Sequence, residues 1–207
     1  TEIDGNLTTL ERIHRAARAE FLQKGYKDAS LRNICKEAGV TTGALYFFFK
    51  DKEDLLAALV EEPLRQLYAI MEEHYATEMH NEDQVAQLDI ADDGDLEASR
   101  QIIRQMYANR EAFLLLLTKS QGSRFENCLD EVVDISEQQY RRLCDMVTNA
   151  TGRPRVDDYM THWMAHIMVD TFVHLFLHET EERVALKHVD ALTMYLVRGW
   201  MGIMTES

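Results

Sequence analysis

Apolar residues recur at three- and four-residue intervals along most of the chain, the spacing of one face of an α-helix. Thr8-Thr9-Leu10-Glu11 reads as a capping box that opens a first helix, with Leu10, Ile13, Ala17 and Phe21 inward and Gly25 at its end. Ser30 caps a short helix with Leu31, Ile34, Cys35 and Ala38 inward, and Gly39 is placed to leave it in the left-handed conformation. Val40 plugs the turn that follows. Thr41 or Thr42 caps a second short helix, which buries Leu45 and Phe49. Asp51 caps a long helix reaching about residue 80, with Leu55 and Leu56 as its first inward residues and an interruption at Pro63. Residues 1–7 read as a loose arm and the acidic stretch 81–95 as a mobile connection. Further helices are expected over 96–109, 110–120, 124–150, 156–179 and 181–204, with Asn109 capping the second of them and Gly122 breaking it.

These elements predict an all-α protein: a three-helix head with a helix-turn-helix, residues 1–56, and a helical-bundle body, residues 57–207. The two last helices are apolar almost all round. The first carries Tyr159, Met160, Trp163, Met164, Ile167, Met168, Phe172 and Phe176, the second Val184, Val189, Leu192, Tyr195 and Trp200. Such helices need cover on several sides, and a two-fold pair of chains would supply it, so a homodimer is expected.

Composition adds little beyond class. Of 207 residues 46% are hydrophobic, enough for a core, and no run of about 18 uninterrupted apolar residues speaks for a membrane span. A cytoplasmic location without membrane association follows as the expectation. Cys35, Cys128 and Cys144 are too far apart for a CxxC pair and read as reduced thiols. The net charge of −14 is unevenly placed: residues 1–56 hold nine Lys/Arg against nine Asp/Glu, and the whole excess lies in the remainder. A neutral head on an acidic body favours approach to a polyanion by the head.

Two short helices joined by a glycine turn make the helix-turn-helix that places its second helix in a DNA major groove. Thr42, Gly43 and Ala44 keep its first turn slim, Tyr46 offers a hydroxyl to a phosphate oxygen, and Lys52 adds a cation. Gly25-Tyr26, Ser30-Leu31-Arg32-Asn33-Ile34, Ala38-Gly39-Val40-Thr41-Thr42-Gly43-Ala44-Leu45-Tyr46 and Phe49-Lys50-Asp51-Lys52-Glu53-Asp54-Leu55-Leu56 resemble the head of the tetracycline-repressor (TetR) family. The resemblance covers residues 8–60. It implies a homodimeric repressor on double-stranded operator DNA, released by a small-molecule effector. By the same resemblance Arg32 reaches a base, Thr42 and Ala44 face base edges, and Tyr46 and Lys52 hold phosphates; Phe48 departs, standing where relatives carry a histidine or tyrosine. Arg32, Thr41, Thr42, Gly43, Ala44, Tyr46, Phe47 and Lys52 form the candidate DNA-contacting set.

In the body, Met106, Tyr107, Phe113, Tyr140, Trp163 and His166 are candidates to line an effector cavity between helices, with His166 as a polar handle for an apolar ligand. His162, His166, Asp170, His174 and His178 recur every four residues and permit the alternative of a metal- or haem-sensing module. Each step turns about 40° round the helix, so the series cannot converge on one site, and bundle-core histidines are the simpler expectation. The acidic residues of 81–95 do not match a calcium loop. No nucleophile elbow, P-loop, HExxH or dinucleotide fingerprint is present, so neither catalytic residues nor a cofactor are expected.

Overall fold

The computed structural model describes residues 7–79 and 93–206. The expected arm, apart from Leu7, and the expected connection, apart from 93–95, lie outside the described residues. Among the described residues the chain is helical and holds no strand. The helices are α1 (Thr9–Asp28), α2 (Leu31–Ala38), α3 (Thr42–Phe48), α4 (Lys52–Met79), α5 (Asp93–Ala108), α6 (Arg110–Lys119), α7 (Cys128–Thr151), α8 (Asp158–His178) and α9 (Glu182–Glu206). No helix among the described residues is long and apolar enough to cross a membrane.

The chain forms two compact units: residues up to 65 with 109–128, and residues 66–108 with 129 onward. The first unit therefore reaches beyond 1–56, because α6 packs on α1. Its core holds Ile13, Ala17, Phe21, Ile34, Leu45, Leu55, Leu56, Val60, Phe113 and Leu115, each fully or almost fully buried. Arg18 and Glu111 pair at 3.3 Å on the same seam. Leu10, expected inward, is 37% exposed in the first turn of α1.

Local chemistry explains the helix ends. The Thr8–Glu11 capping box forms in full. Gly25 has φ 77° and breaks the helical run, and Tyr26–Asp28 add only a last turn. Asp51 Oδ1 accepts the Asp54 N–H at 2.8 Å while Asp54 Oδ2 accepts that of Lys50 at 2.9 Å, a reciprocal cap for α4. Pro63 does not interrupt α4, contrary to expectation. Leu59, Val60, Leu64 and Leu67 on either side of it are buried, and that packing outweighs one lost backbone bond. Asn109 stands before α6 but makes no side-chain cap. Helix α7 begins at Cys128, not near residue 124: Ser123 Oγ donates to the Ser120 carbonyl and accepts the Phe125 N–H, and these bonds hold the segment in turns.

In the second unit the apolar side chains of the described residues gather in clusters. Cys144, Val147, Val156, Met164, Trp200 and Met204 form one, with Tyr140, Met160 and Met201 at its margin. Ile103, Leu175, Ala185 and Val189 form another, with Tyr107, Phe172 and Leu192 against it. Val133, Ala165 and Val169 form a third. Burial pushes the Cys144 thiol up to about 11, leaving it unreactive near neutrality.

Candidate nucleic-acid interface

The helix-turn-helix is fastened at its entry by a carboxylate. Glu20 lies on the inward side of α1 and is 4% exposed. It accepts hydrogen bonds from Lys24 Nζ at 2.8 Å, the Ser30 backbone N–H at 3.0 Å and Asn33 Nδ2 at 2.5 Å. Burial alone would raise its pKa, but these three bonds and the Lys24 charge outweigh it and hold it below the usual 4.5. Ser30 Oγ accepts the Asn33 N–H and completes the start of α2. Sequence reasoning missed Glu20 and Asn33. The signal was available: a charge at an inward position of α1, three residues after Ala17 and beside Phe21, has to find partners.

The turn between the two helices uses Gly39 at φ 63°, ψ 39°, a conformation costly for any residue with a Cβ. A Cβ there would also meet the Arg12 guanidinium at 3.4 Å. Thr41, not Thr42, is the cap of α3: its Oγ1 accepts the Ala44 N–H at 3.1 Å. Leu45, fully buried, and Phe49, 6% exposed, anchor the helix to the core. Residues 42, 43, 46 and 47, spaced i, i+1, i+4 and i+5, then share the outer face. Thr42 and Gly43 are exposed, Ala44 half-buried, Tyr46 52% and Phe47 82% exposed, and Arg32 is exposed on α2. Gly43 is not demanded by packing, since an added Cβ would meet only Thr41 Oγ1 at 3.9 Å. Its bareness leaves backbone open on the outer face.

Lys52 is engaged inside the unit. Its Nζ donates to the Lys27 carbonyl at 3.1 Å and the Ala29 carbonyl at 3.2 Å, and sits 4.6 Å from the Tyr26 ring centroid. The charge therefore complements the carbonyl end of α1. Two of its three donor directions are occupied. Phe48, 39% exposed, stands between Phe47 and Phe49, with ring centroids at 5.2 and 6.4 Å.

The candidate effector set is not brought together. Met106 is buried on α5, and Tyr107 donates its hydroxyl to the Glu179 carbonyl at 2.8 Å with its ring edge-on to Phe176. Tyr140 lies with its ring tilted against Trp200 at 5.1 Å, in a different cluster. Trp163 is 43% exposed with His166 half-buried beside it, and Phe113 is core of the other unit. Helical periodicity gave each residue an inward or outward face but no helix-to-helix register, so convergence did not follow. The histidine series is likewise outside the bundle core. His162, His174 and His178 are exposed, with His162 and His166 rings 4.6 Å apart and His174 and His178 4.2 Å apart. His162 Nδ1 lies 2.7 Å from Glu137 Oε2. Among the described residues no group of three or more His, Cys, Asp or Glu is placed to hold a metal ion.

With this geometry in view, residues 13–59 match the family described as bacterial regulatory proteins, tetR family. The head belongs to the tetR family. Its sequence is 40% identical over 58 residues to the fatty acid metabolism regulator protein of Bacillus subtilis, covering 28% of this chain and 30% of that protein. It is 45% identical over 53 residues to the HTH-type transcriptional regulator AcrR of Shigella flexneri, covering 26% and 25%. The chain thus matches about a quarter to a third of the length of these curated relatives. The tetR-type likeness extends to the body only as fold. A transcriptional regulator (TerR/AcrR family) from Aquifex aeolicus superposes with a TM-score of 0.60 at 19% identity, covering 91% of this chain and 99% of that one. A TetR-family member from Streptomyces coelicolor gives 0.61 at 18%, covering 94% and 93%.

Proposed function

We propose that this protein is a cytoplasmic transcriptional regulator, most simply a repressor, that binds a palindromic operator as a homodimer and is released by a small apolar effector. One observation carries the reading: a tetR-type helix-turn-helix whose second helix is rooted by Leu45 and Phe49 and turns Thr42, Gly43, Tyr46 and Phe47 outward. Arg32, Thr42 and Ala44 read bases; Thr41, Gly43, Tyr46 and Lys52 serve phosphate approach and register. Relatives named as regulators and as a repressor support the direction of control.

The dimer is supported by outward residues of α8 and α9. Tyr159 and Tyr195 are 68% and 75% exposed, Trp163 joins them, and a Cβ added at Gly199 or Gly202 would meet nothing within 4 Å. Large rings beside bare backbone suit close helix-on-helix packing with a second copy, and the two α3 helices would then address major grooves one DNA turn apart. An effector reading is supported by the methionine-rich cluster around Tyr140 and Trp200, soft enough to repack around a guest. Selection from a random duplex pool, followed by mobility shift against competitor DNA, tests the proposal. A palindromic consensus bound by two chains supports it; equal retention of all duplexes overturns it.

A further inference from the structure

Three consecutive phenylalanines end the reading helix, and the structure uses each differently. Phe49 is core, Phe48 lies between, and Phe47 is 82% exposed, the most exposed large apolar side chain among the described residues. Its ring is not loose. It stands edge-on to Phe48 at 5.2 Å, Phe48 leans on Phe49 at 6.4 Å, and Phe49 packs on His14 of α1 at 5.6 Å. An aromatic row rooted in the core thus props one bare ring on the outer face, alongside Thr42, Gly43 and Tyr46. With only two side-chain torsions, such a ring loses little freedom on contact.

A phenyl ring has neither donor nor acceptor, so it cannot hold a phosphate or pair with a base edge. The major groove offers it one apolar feature, the thymine 5-methyl group. We infer that Phe47 is a sequence-reading residue that packs on thymine methyl groups, so that each half of the operator carries thymine at a fixed position. The inference rests on the reading of α3 as the DNA-contacting helix. Burying one methyl-sized group corresponds to about a fourfold change in affinity.

Removing the methyl without touching base pairing tests it. Random duplex pools made with thymidine or with deoxyuridine are selected with the wild-type full-length chain and with Phe47→Ala. The best duplex is then remade with single thymine-to-uracil replacements. Wild type is expected to lose about fourfold at one thymine per half and to be indifferent elsewhere. Phe47→Ala, expected to stay folded by circular dichroism because the ring is 82% exposed, should bind thymine and uracil duplexes alike. Selective wild-type binding that ignores every uracil replacement overturns the inference and leaves the DNA reading standing. A uracil effect that persists in Phe47→Ala also overturns it, since another residue then reads the methyl. Failure of wild type to enrich any duplex from either pool overturns both.

Discussion

Replacing Glu20 with alanine should cost the first unit about 2–4 kcal/mol at pH 7, because it leaves the Ser30 N–H and the Asn33 amide without their acceptor. Each donor deprived of its partner away from water costs about 1–3 kcal/mol, and the low end applies to Asn33, which is only half-buried. Lys24 is 41% exposed and regains water, so its share is small. The pH dependence follows from the lowered pKa. A carboxyl whose folded pKa lies below its unfolded value adds stability above the unfolded value, and that stability is lost as pH falls through the folded one. Wild type should therefore lose this contribution from about pH 4.5 downward, while Glu20→Ala has none to lose. Urea unfolding followed by far-ultraviolet circular dichroism, at fixed protein concentration from pH 7 to 3, should show two curves that converge on acidification. A gap under about 0.5 kcal/mol at pH 7, or one that does not narrow toward acid, refutes the account of Glu20 as the anchor of α2.

Three further outcomes are expected. Tyr46→Phe should weaken binding to every duplex by one common factor and leave thermal unfolding unchanged, since the ring is 52% exposed; a change in sequence preference counts against a phosphate role. Lys52→Ala should lower thermal stability as well as DNA affinity, because the ammonium bonds two carbonyls, and should reduce the salt slope by about one phosphate; an unaltered melting curve rejects the internal role. Trp163→Asp or Tyr195→Glu should give a folded monomer in sedimentation, because both side chains face outward, and a stable dimer in both variants rejects the α8–α9 seam.

How far the sequence could be read depended on the range of the interaction. Caps and turns are local, and Ser30, Gly39, Thr41 and Asp51 stand where their residue types demanded. The outer face of α3 was likewise legible, since Leu45 and Phe49 fixed which side turns inward. Choices that depend on partners distant in sequence were not. Lys52 read only as a cation for a phosphate until the carbonyls of Lys27 and Ala29 came beside it. Phe172 and Leu192 stand on helices that read as apolar almost all round, and only the fold shows them packed against the Ile103–Val189 cluster of their own chain. Trp163 and Tyr195 face outward instead. Phe113 reads as an effector contact only while α6 is assigned to the body; its core is the head.

The Lys52 ammonium has a topological effect as well. Its bonds reach 25 and 23 residues back along the chain, and between those points lie α2, the glycine turn and α3. The reading element is therefore a loop tied at its neck. While the tie holds, the ends of that loop cannot drift apart, and the chain entropy available to a partly unravelled α3 is correspondingly restricted. Amides of α2 and α3 should then exchange with solvent through one shared opening instead of fraying separately from either end. A neutral side chain at residue 52 would untie the neck, and the two short helices would exchange at unequal rates.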